Sequence, residues 1–304
     1  MLLFQGGAHG QFAAVPLNLV GTSGGKADFI HTGFWCERAE NESKKYVECR
    51  RAYDAGVDNK FTTIADPSKW DVDNDAAFVH VCANETIHGL EFLKDPSLAS
   101  GQPPMILDAT STLLSRPMDI SQYGAVYASS GKNLGPAGLC VAIVRKDLVE
   151  QSAGQNCPGV LSWHEAANSA PIQNIYNTPP TYLHYLLSLV LDTYKQAGGL
   201  EAMEQRAVRL SEMLYETIDG SGGFYSNPVD ETYRSRMNVP FRINGGDKAL
   251  EDLFTQEAKD LGYEQVFGHP LFGGQRITLY NMVPEEGVNL VNKFMLDFKT
   301  KHAQ

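Results

Sequence analysis

The chain has 304 residues, 43% hydrophobic and 20% charged, a composition typical of a globular protein. Its formal net charge of −11 argues against a general nucleic-acid-binding protein, since an acidic surface repels the phosphate backbone. No apolar run reaches transmembrane length, and the opening residues lack the basic segment of a signal peptide. We therefore expect neither a nucleic-acid partner nor a membrane partner.

The five cysteines are odd in number and form no CxxC pair, which argues against a zinc site or a disulfide framework. Cys82 and Cys140 lie in apolar runs, where cysteine behaves as a small hydrophobic residue. This usage indicates a reducing compartment, so we expect a cytoplasmic protein without a metal site. A transit peptide upstream of Met1 would instead direct the protein to an organelle.

Short apolar runs alternate with amphipathic stretches in the first part of the chain. The predicted strands are residues 2–4, 26–31, 77–81, 105–108, 124–128 and 139–144, and the predicted helices include 10–18 and 37–53. This alternation indicates βαβ units and an α/β fold with a mostly parallel sheet. Ligands of such sheets bind at the carboxyl ends of the strands.

The second part of the chain opens with two long periodic segments. We predict helices over residues 181–196 and 200–218, with Gly198-Gly199 ending the first of them. Predicted strands at 237–243 and 276–280 flank a helix near 249–261. The boundary is predicted near Gly199, with a large domain at 1–199 and a smaller C-terminal domain at 200–304.

The stretch YASSGKNLGPAGL, residues 127–139, places Lys132 on a Gly/Ser-rich turn between two predicted strands. A lysine held among small residues at strand ends suits a Schiff-base nucleophile, because partial burial favours the neutral amine. A solvated surface lysine is the simpler alternative. A P-loop is disfavoured, since Asn133 stands where that motif has Ser or Thr.

Further polar residues occupy the ends of predicted strands. Asp108 ends one predicted strand, and Lys132 follows the next one. A carboxylate in this position is suited to keep a pyridinium nitrogen protonated, and equally to cap a helix. The Gly-rich turn at residues 6–10 suits phosphate binding at a helix N-terminus. Trp35 suits stacking on a flat ring, or packing in the core.

Four further residues are candidates for binding a ligand, each with a structural alternative. Thr86 suits a hydrogen bond to a cofactor oxygen, or a cap of the next segment. Asn177 and Thr178 suit phosphate binding, or a structural turn before two prolines. Arg276 begins an apolar strand after two glycines and suits a substrate carboxylate, or a structural ion pair.

Together these segments resemble the phosphoserine aminotransferase family, of the class V, fold-type I pyridoxal phosphate enzymes. The matching blocks are QGGAHGQFAAVPLN (5–18), NETIHG (84–89), LSRPMDISQYG (114–124), KNLGPAG (132–138), YNTPPT (176–181), SRMNVPF (235–241) and GGQR (273–276). The resemblance covers the whole chain. It implies a large three-layer α/β/α domain with a smaller C-terminal α/β domain.

The resemblance also implies roles for individual residues. Lys132 would be the Schiff-base lysine and the proton shuttle. The implied cofactor contacts are Ala8 and His9 at the phosphate through their amides, Trp35 on the ring, Thr86 near the 3′-oxygen, Asp108 at the pyridine nitrogen, Gly131 beside the lysine, and Asn177 and Thr178 at the phosphate. Those last two would reach the site from the partner subunit, which implies a homodimer. Arg276 would bind the substrate α-carboxylate, and His269 would lie near the substrate phosphate.

The implied reaction is a ping-pong transamination. Glutamate would leave as 2-oxoglutarate, and 3-phosphohydroxypyruvate would leave as O-phosphoserine, a step of serine biosynthesis. Three departures from the family pattern bear on this reaction. Family members carry several dozen residues before the strand at Met1; Pro270 stands where the family has arginine; Gly131 stands where it has glutamine.

The first two departures remove cationic partners of the substrate phosphate. Charge-assisted hydrogen bonds contribute about 1.5–3 kcal/mol each, so phosphate binding is expected to weaken. Two alternatives therefore stay open beside the phosphoserine aminotransferase. One is a shortened, weakly active or inactive paralogue that keeps the fold. The other is a class V transaminase for a non-phosphorylated substrate such as alanine or serine.

Overall fold

The computed structural model describes residues 1–20, 24–58, 60–152, 156–270 and 272–303. The strands are β1 (Leu2–Gly6), β2 (Lys26–His31), β3 (Glu48–Asp54), β4 (Gly56–Val57), β5 (Lys60–Phe61), β6 (Val79–Cys82), β7 (Asn84–Glu85), β8 (Leu90–Glu91), β9 (Met105–Asp108), β10 (Ala125–Ser129), β11 (Gly138–Val144), β12 (Tyr225–Ser226), β13 (Asn238–Ile243) and β14 (Gln275–Thr278). The helices are α1 (Ala8–Leu19), α2 (Phe34–Ser43), α3 (Lys146–Gln151), α4 (Trp163–Ala167), α5 (Thr181–Gln196), α6 (Gly199–Asp219), α7 (Lys248–Asp260) and α8 (Glu285–His302).

The large sheet has the order β1-β11-β10-β9-β6-β2-β3 among the described residues. The block from β10 through β9, β6 and β2 to β3 is parallel, and β1 and β11 pair antiparallel at one edge. The predicted mostly parallel sheet is therefore confirmed. All six predicted strands of this sheet are present, with their ends within two residues of the predicted ones.

The prediction of one helix over residues 37–53 is wrong. The helix is α2, which ends at Ser43, and the chain then forms the edge strand β3. Arg50 and Arg51 give this strand its helix-like polar pattern, yet both are held by acids of neighbouring elements. Arg50 pairs with the fully buried Asp28 of β2, and Arg51 pairs with Glu40 of α2.

The predicted C-terminal helices and strands are present, and the short strand β12 and the helix α8 are additional. The helix α5 covers the predicted residues 181–196 and is followed by Gly198 in the left-handed conformation, at φ 105°. The helix α7 begins after Asp247, whose carboxylate accepts the N–H groups of Ala249 and Leu250. The helix α8 has no counterpart among the predicted elements. Within the described residues, no helix combines the length and apolar composition needed to cross a membrane.

One cluster of buried apolar residues lies wholly within the C-terminal part of the chain, and the others surround the large sheet. The cluster of the C-terminal part joins α6, α7 and α8 to the sheet β12-β13-β14, with Phe254 fully buried near its centre. Other clusters pack on the faces of the large sheet. These separate cores support the proposed boundary near Gly199, which stays a prediction.

Asn133 joins the two parts through buried hydrogen bonds. Its side-chain N–H donates to the Leu113 carbonyl at 3.1 Å, and its side-chain oxygen accepts the Asn281 N–H at 3.0 Å. Its backbone carbonyl accepts the hydroxyl of Tyr194, on α5, at 2.6 Å. Asn133 is 1% exposed, so these groups have no access to solvent as an alternative partner.

We expect Asn133→Ala to lower the free energy of unfolding by about 2–4 kcal/mol, because it leaves the Leu113 carbonyl and the Asn281 N–H buried without partners. Chemical denaturation of the purified protein measures this change. Asn41→Ala is the matched control, since Asn41 is exposed on α2. That change should stay within about 0.5 kcal/mol. Equal effects of the two substitutions would contradict the assignment of Asn133 as a structural link.

Candidate active site

Lys132 lies in the turn between β10 and β11, at the carboxyl end of β10. The Ser130 side chain closes this turn: its hydroxyl donates to the Pro136 carbonyl at 2.6 Å and accepts the Leu139 N–H at 2.9 Å. The Lys132 Nζ lies 5.8 Å from the ring centroids of both Trp35 and Tyr280. The amine is thus held between two aromatic faces.

Asp108 ends β9, the parallel neighbour of β10, as the sequence predicts. Its carboxylate is buried and accepts the Thr110 N–H at 2.9 Å. Burial raises the pKa of Asp108, while hydrogen bonds from Thr110, the charge of Lys132 and a hydrogen bond from Tyr127 oppose that shift. A cation next to this carboxylate would favour its charged form.

A cavity of about 190 Å³ brings several predicted site residues together. Its lining includes Ala8, His9, Trp35, Asp108 and Lys132. Ala8 and His9 open α1, and in the described chain no side chain caps this helix N-terminus. The start of α1 therefore borders a space that is also lined by an amine, a carboxylate and an aromatic ring.

Trp35 is fixed at both its backbone and its ring. The indole N–H donates to the Thr86 hydroxyl at 2.9 Å. The Trp35 backbone N–H donates to Glu85 Oε2 at 2.9 Å, and the Cys36 N–H donates to Glu85 Oε1 at 2.8 Å. Thr86 therefore contacts Trp35, and it does so without lining the cavity itself.

Arg276 and His269 lie next to this region on the C-terminal part of the chain. The Arg276 guanidinium donates to the Thr86 carbonyl at 3.1 Å. The His269 ring packs 5.6 Å from Phe34 and 6.1 Å from Phe272, between ring centroids. Partial burial and the charge of Arg276 lower the pKa of His269.

Two other predicted residues lie elsewhere in this chain. Asn177 and Thr178 accept hydrogen bonds from the Gln5 side chain, at the Asn177 side-chain oxygen and the Thr178 carbonyl. Asn177 lines a different cavity, beside β1. Gly131 directly precedes Lys132, and a Cβ there would lie 3.2 Å from that of Ala137.

Sequence reasoning missed a layer of buried polar residues behind the cavity. His80 Nε2 lies 2.8 Å from the Tyr127 hydroxyl, and burial lowers the pKa of His80 to about 3. Glu85 is fully buried, and desolvation raises its pKa to about 7. The hydrogen bonds from the Trp35 and Cys36 N–H groups act in the opposite direction and lower it. Glu85 adjoins the predicted Thr86, but its contacts are about 50 residues away in sequence.

Comparisons with known proteins identify the family of this chain. The Aminotransferase class-V family matches residues 1–263. Phosphoserine aminotransferases of Nitrosomonas europaea and Paraburkholderia phymatum are 41% and 42% identical over the whole chain, which spans 82% and 81% of those proteins.

Solved structures give the same result. The phosphoserine aminotransferase from Bacillus circulans subsp. alkalophilus is 36% identical, with a TM-score of 0.92 over 99% of this chain and 80% of that one. The PLP-bound phosphoserine aminotransferase from Trichomonas vaginalis is 31% identical, with a TM-score of 0.87 over 97% and 81%. The chain belongs to the phosphoserine aminotransferase family of the class V aminotransferases.

Proposed function

We propose that this chain is a pyridoxal-phosphate-dependent phosphoserine aminotransferase, which transfers an amino group from glutamate to 3-phosphohydroxypyruvate. Family membership supports the reaction and the cofactor. The observation that carries the site assignment is the cavity that Lys132, Asp108, Trp35 and the N-terminus of α1 share. Amine, carboxylate, flat ring and helix amides are the groups that this cofactor requires.

The residues present fit pyridoxal phosphate on two structural grounds. The buried Asp108 carboxylate has a raised pKa, so a pyridinium nitrogen would satisfy its charge. The uncapped N-terminus of α1 provides N–H groups for a phosphate, since Gly7 and Ala8 keep side-chain bulk away from them. When bound, the cofactor supplies an electron sink for negative charge that develops at the substrate Cα.

The chain's own residues then divide the work. The Lys132 amine attaches the cofactor and moves the proton at the substrate Cα, acting as nucleophile and then as general base and acid. Asp108 holds the proton of the pyridine nitrogen. Trp35 would cover one face of the cofactor ring and exclude water there. The Thr86 hydroxyl holds the indole and would lie near the 3′-oxygen.

The substrate side belongs to the C-terminal part of the chain. Arg276 would bind the α-carboxylate as a bidentate pair; its guanidinium donates to the carbonyl of Thr86, the residue whose hydroxyl holds the Trp35 indole. His269 lies near the substrate phosphate. The partner subunit's Asn177 and Thr178 would reach the cofactor phosphate. Gly131 would adjoin the cofactor beside Lys132 without a side-chain contact to that phosphate.

This role for Asn177 and Thr178 requires a homodimer. Beside them, α5 presents Tyr182 and Tyr185, which are 70% and 60% exposed. Aromatic residues that point outward from a helix are typical of a protein–protein contact. We also propose a cytoplasmic location, which the five free cysteines support.

Substitution of the lysine tests the proposed reaction. With pyridoxal phosphate, the unsubstituted protein should show a visible absorption band that decreases when L-glutamate is added. Lys132→Ala should lower phosphoserine formation at least about a hundredfold, because the nucleophile and the proton carrier are both lost. Lys146→Ala, an exposed lysine on α3, should leave the rate unchanged. A Lys132→Ala protein with normal turnover would contradict the assignment.

Pro270 allows a test of the acceptor. Pro270→Arg should raise kcat/KM for 3-phosphohydroxypyruvate by about tenfold or more, because it adds a charge-assisted hydrogen bond to the phosphate. The value for plain hydroxypyruvate should not change. Steady-state kinetics with both acceptors measures the ratio of the two kcat/KM values. A higher kcat/KM for hydroxypyruvate in the unsubstituted protein would favour a transaminase for non-phosphorylated substrates.

Substitutions in α5 test the proposed dimer. The double substitution Tyr182→Glu and Tyr185→Glu should shift sedimentation from a dimer to a monomer, since buried charge destabilises an apolar contact. Affinity for pyridoxal phosphate should fall at the same time, because Asn177 and Thr178 no longer reach the partner's site. Leu296→Glu, at an exposed apolar residue of α8, is the control. A monomeric unsubstituted protein that binds the cofactor tightly would contradict this proposal.

A further inference from the structure

Glu85 holds the start of α2 from outside the helix. Its two carboxylate oxygens accept the N–H groups of Trp35 and Cys36, which lie in the first turn. First-turn amides have no partners within a helix, and the N-cap, Gly33, has no side chain to satisfy them. The carboxylate thus satisfies two such donors and complements the positive end of the helix dipole.

The contact between Glu85 and the helix start is tightly packed. Glu85 is 0% exposed, so water does not replace its carboxylate. A Cβ at Gly33 would lie 2.8 Å from the Cγ and Cδ of Glu85 and 2.6 Å from a ring carbon of His88. Glycine at this position therefore allows the helix start and the carboxylate to approach each other closely. A shift of Glu85 would move the first turn of α2 with it.

Adjacent residues of one hairpin hold both ends of Trp35. Glu85 fixes its backbone N–H, and the hydroxyl of Thr86 fixes its indole N–H. A tryptophan side chain has only two rotatable bonds, so these two contacts together determine the plane of the ring. That ring forms a wall of the cavity and lies 5.8 Å from the Lys132 Nζ.

We propose that Glu85 is a positioning residue of the transamination site, which acts through Trp35 by setting the plane of the indole against the cofactor. This inference rests on the proposed function. Glu85 does not line the cavity, so its effect on cofactor binding passes through the helix start and the ring. A neutral amide at residue 85 would present an N–H₂ group to one of the two N–H donors and displace the first turn of α2.

A double-mutant cycle separates this effect from a general loss of stability. The apo protein is titrated with pyridoxal phosphate at about pH 8.5, where Glu85 is ionised. Glu85→Gln should raise the dissociation constant about tenfold when Trp35 is present. In the Trp35→Phe background, adding Glu85→Gln should change the dissociation constant by less than about twofold, since the indole whose plane Glu85 sets is already absent.

Glu91 provides a matched control in the same hairpin. It is also 0% exposed and accepts the Arg236 backbone N–H at 2.7 Å and its guanidinium at 3.1 Å. Glu91→Gln should lower the melting temperature of the apo protein and leave the dissociation constant of the cofactor within about twofold. This control shows what loss of a buried carboxylate does when Trp35 is not involved.

Each outcome has one meaning. If the unsubstituted protein does not bind the cofactor, the proposed function fails. If it binds and Glu85→Gln has no effect, or has the same effect with Trp35 present and in the Trp35→Phe background, the positioning role is overturned. Should Glu85→Gln not fold, Glu85→Asp retains the charge on a side chain shorter by one methylene. The same non-additivity with Trp35→Phe is then expected, and additive effects would overturn the inference.

Discussion

The site depends on how firmly the turn that carries Lys132 is fixed to its surroundings. Asn133, the next residue, forms buried hydrogen bonds with the loop after β9, with α5 and with the segment that precedes α8. These bonds join the large sheet to the C-terminal core at one residue. The lysine is therefore adjacent to a rigid point, which favours reproducible geometry at its amine.

Two buried carboxylates near the cavity have different partners and thus different tasks. The oxygens of Glu85 accept two backbone amides at the start of α2, and its charge is satisfied within the fold. Asp108 accepts the Thr110 N–H and a hydrogen bond from Tyr127. Burial raises the pKa of both acids, and the charge of Asp108 raises that of Glu85 further. A cation at the pyridine nitrogen would relieve the cost of the buried Asp108 charge, so cofactor binding would also stabilise the fold.

Local sequence patterns were sufficient to place Lys132 and Asp108 near one another. Apolar runs identify the strands, and parallel neighbours bring their carboxyl ends to one edge. The same reasoning failed at β3, where the polar residues Arg50 and Arg51 are held by acids on β2 and α2. Glu85 was missed for a related reason. It contacts amides about 50 residues away, and no local period encodes such a contact.

Under the proposed function, the groups for the cofactor and the groups for the substrate lie on different parts of the chain. Groups that suit the cofactor lie on the large sheet and its helices, whereas Arg276 and His269 belong to the C-terminal part of the chain. The hydrogen bond from Arg276 to the Thr86 carbonyl joins the C-terminal part of the chain to the hairpin that holds Trp35. Under the proposed function, a change at Pro270 would therefore act on the acceptor side while the cofactor contacts stay in place. Because Thr86 also holds the Trp35 indole, the hairpin with Glu85 and Thr86 would connect substrate binding at Arg276 to the position of the indole ring.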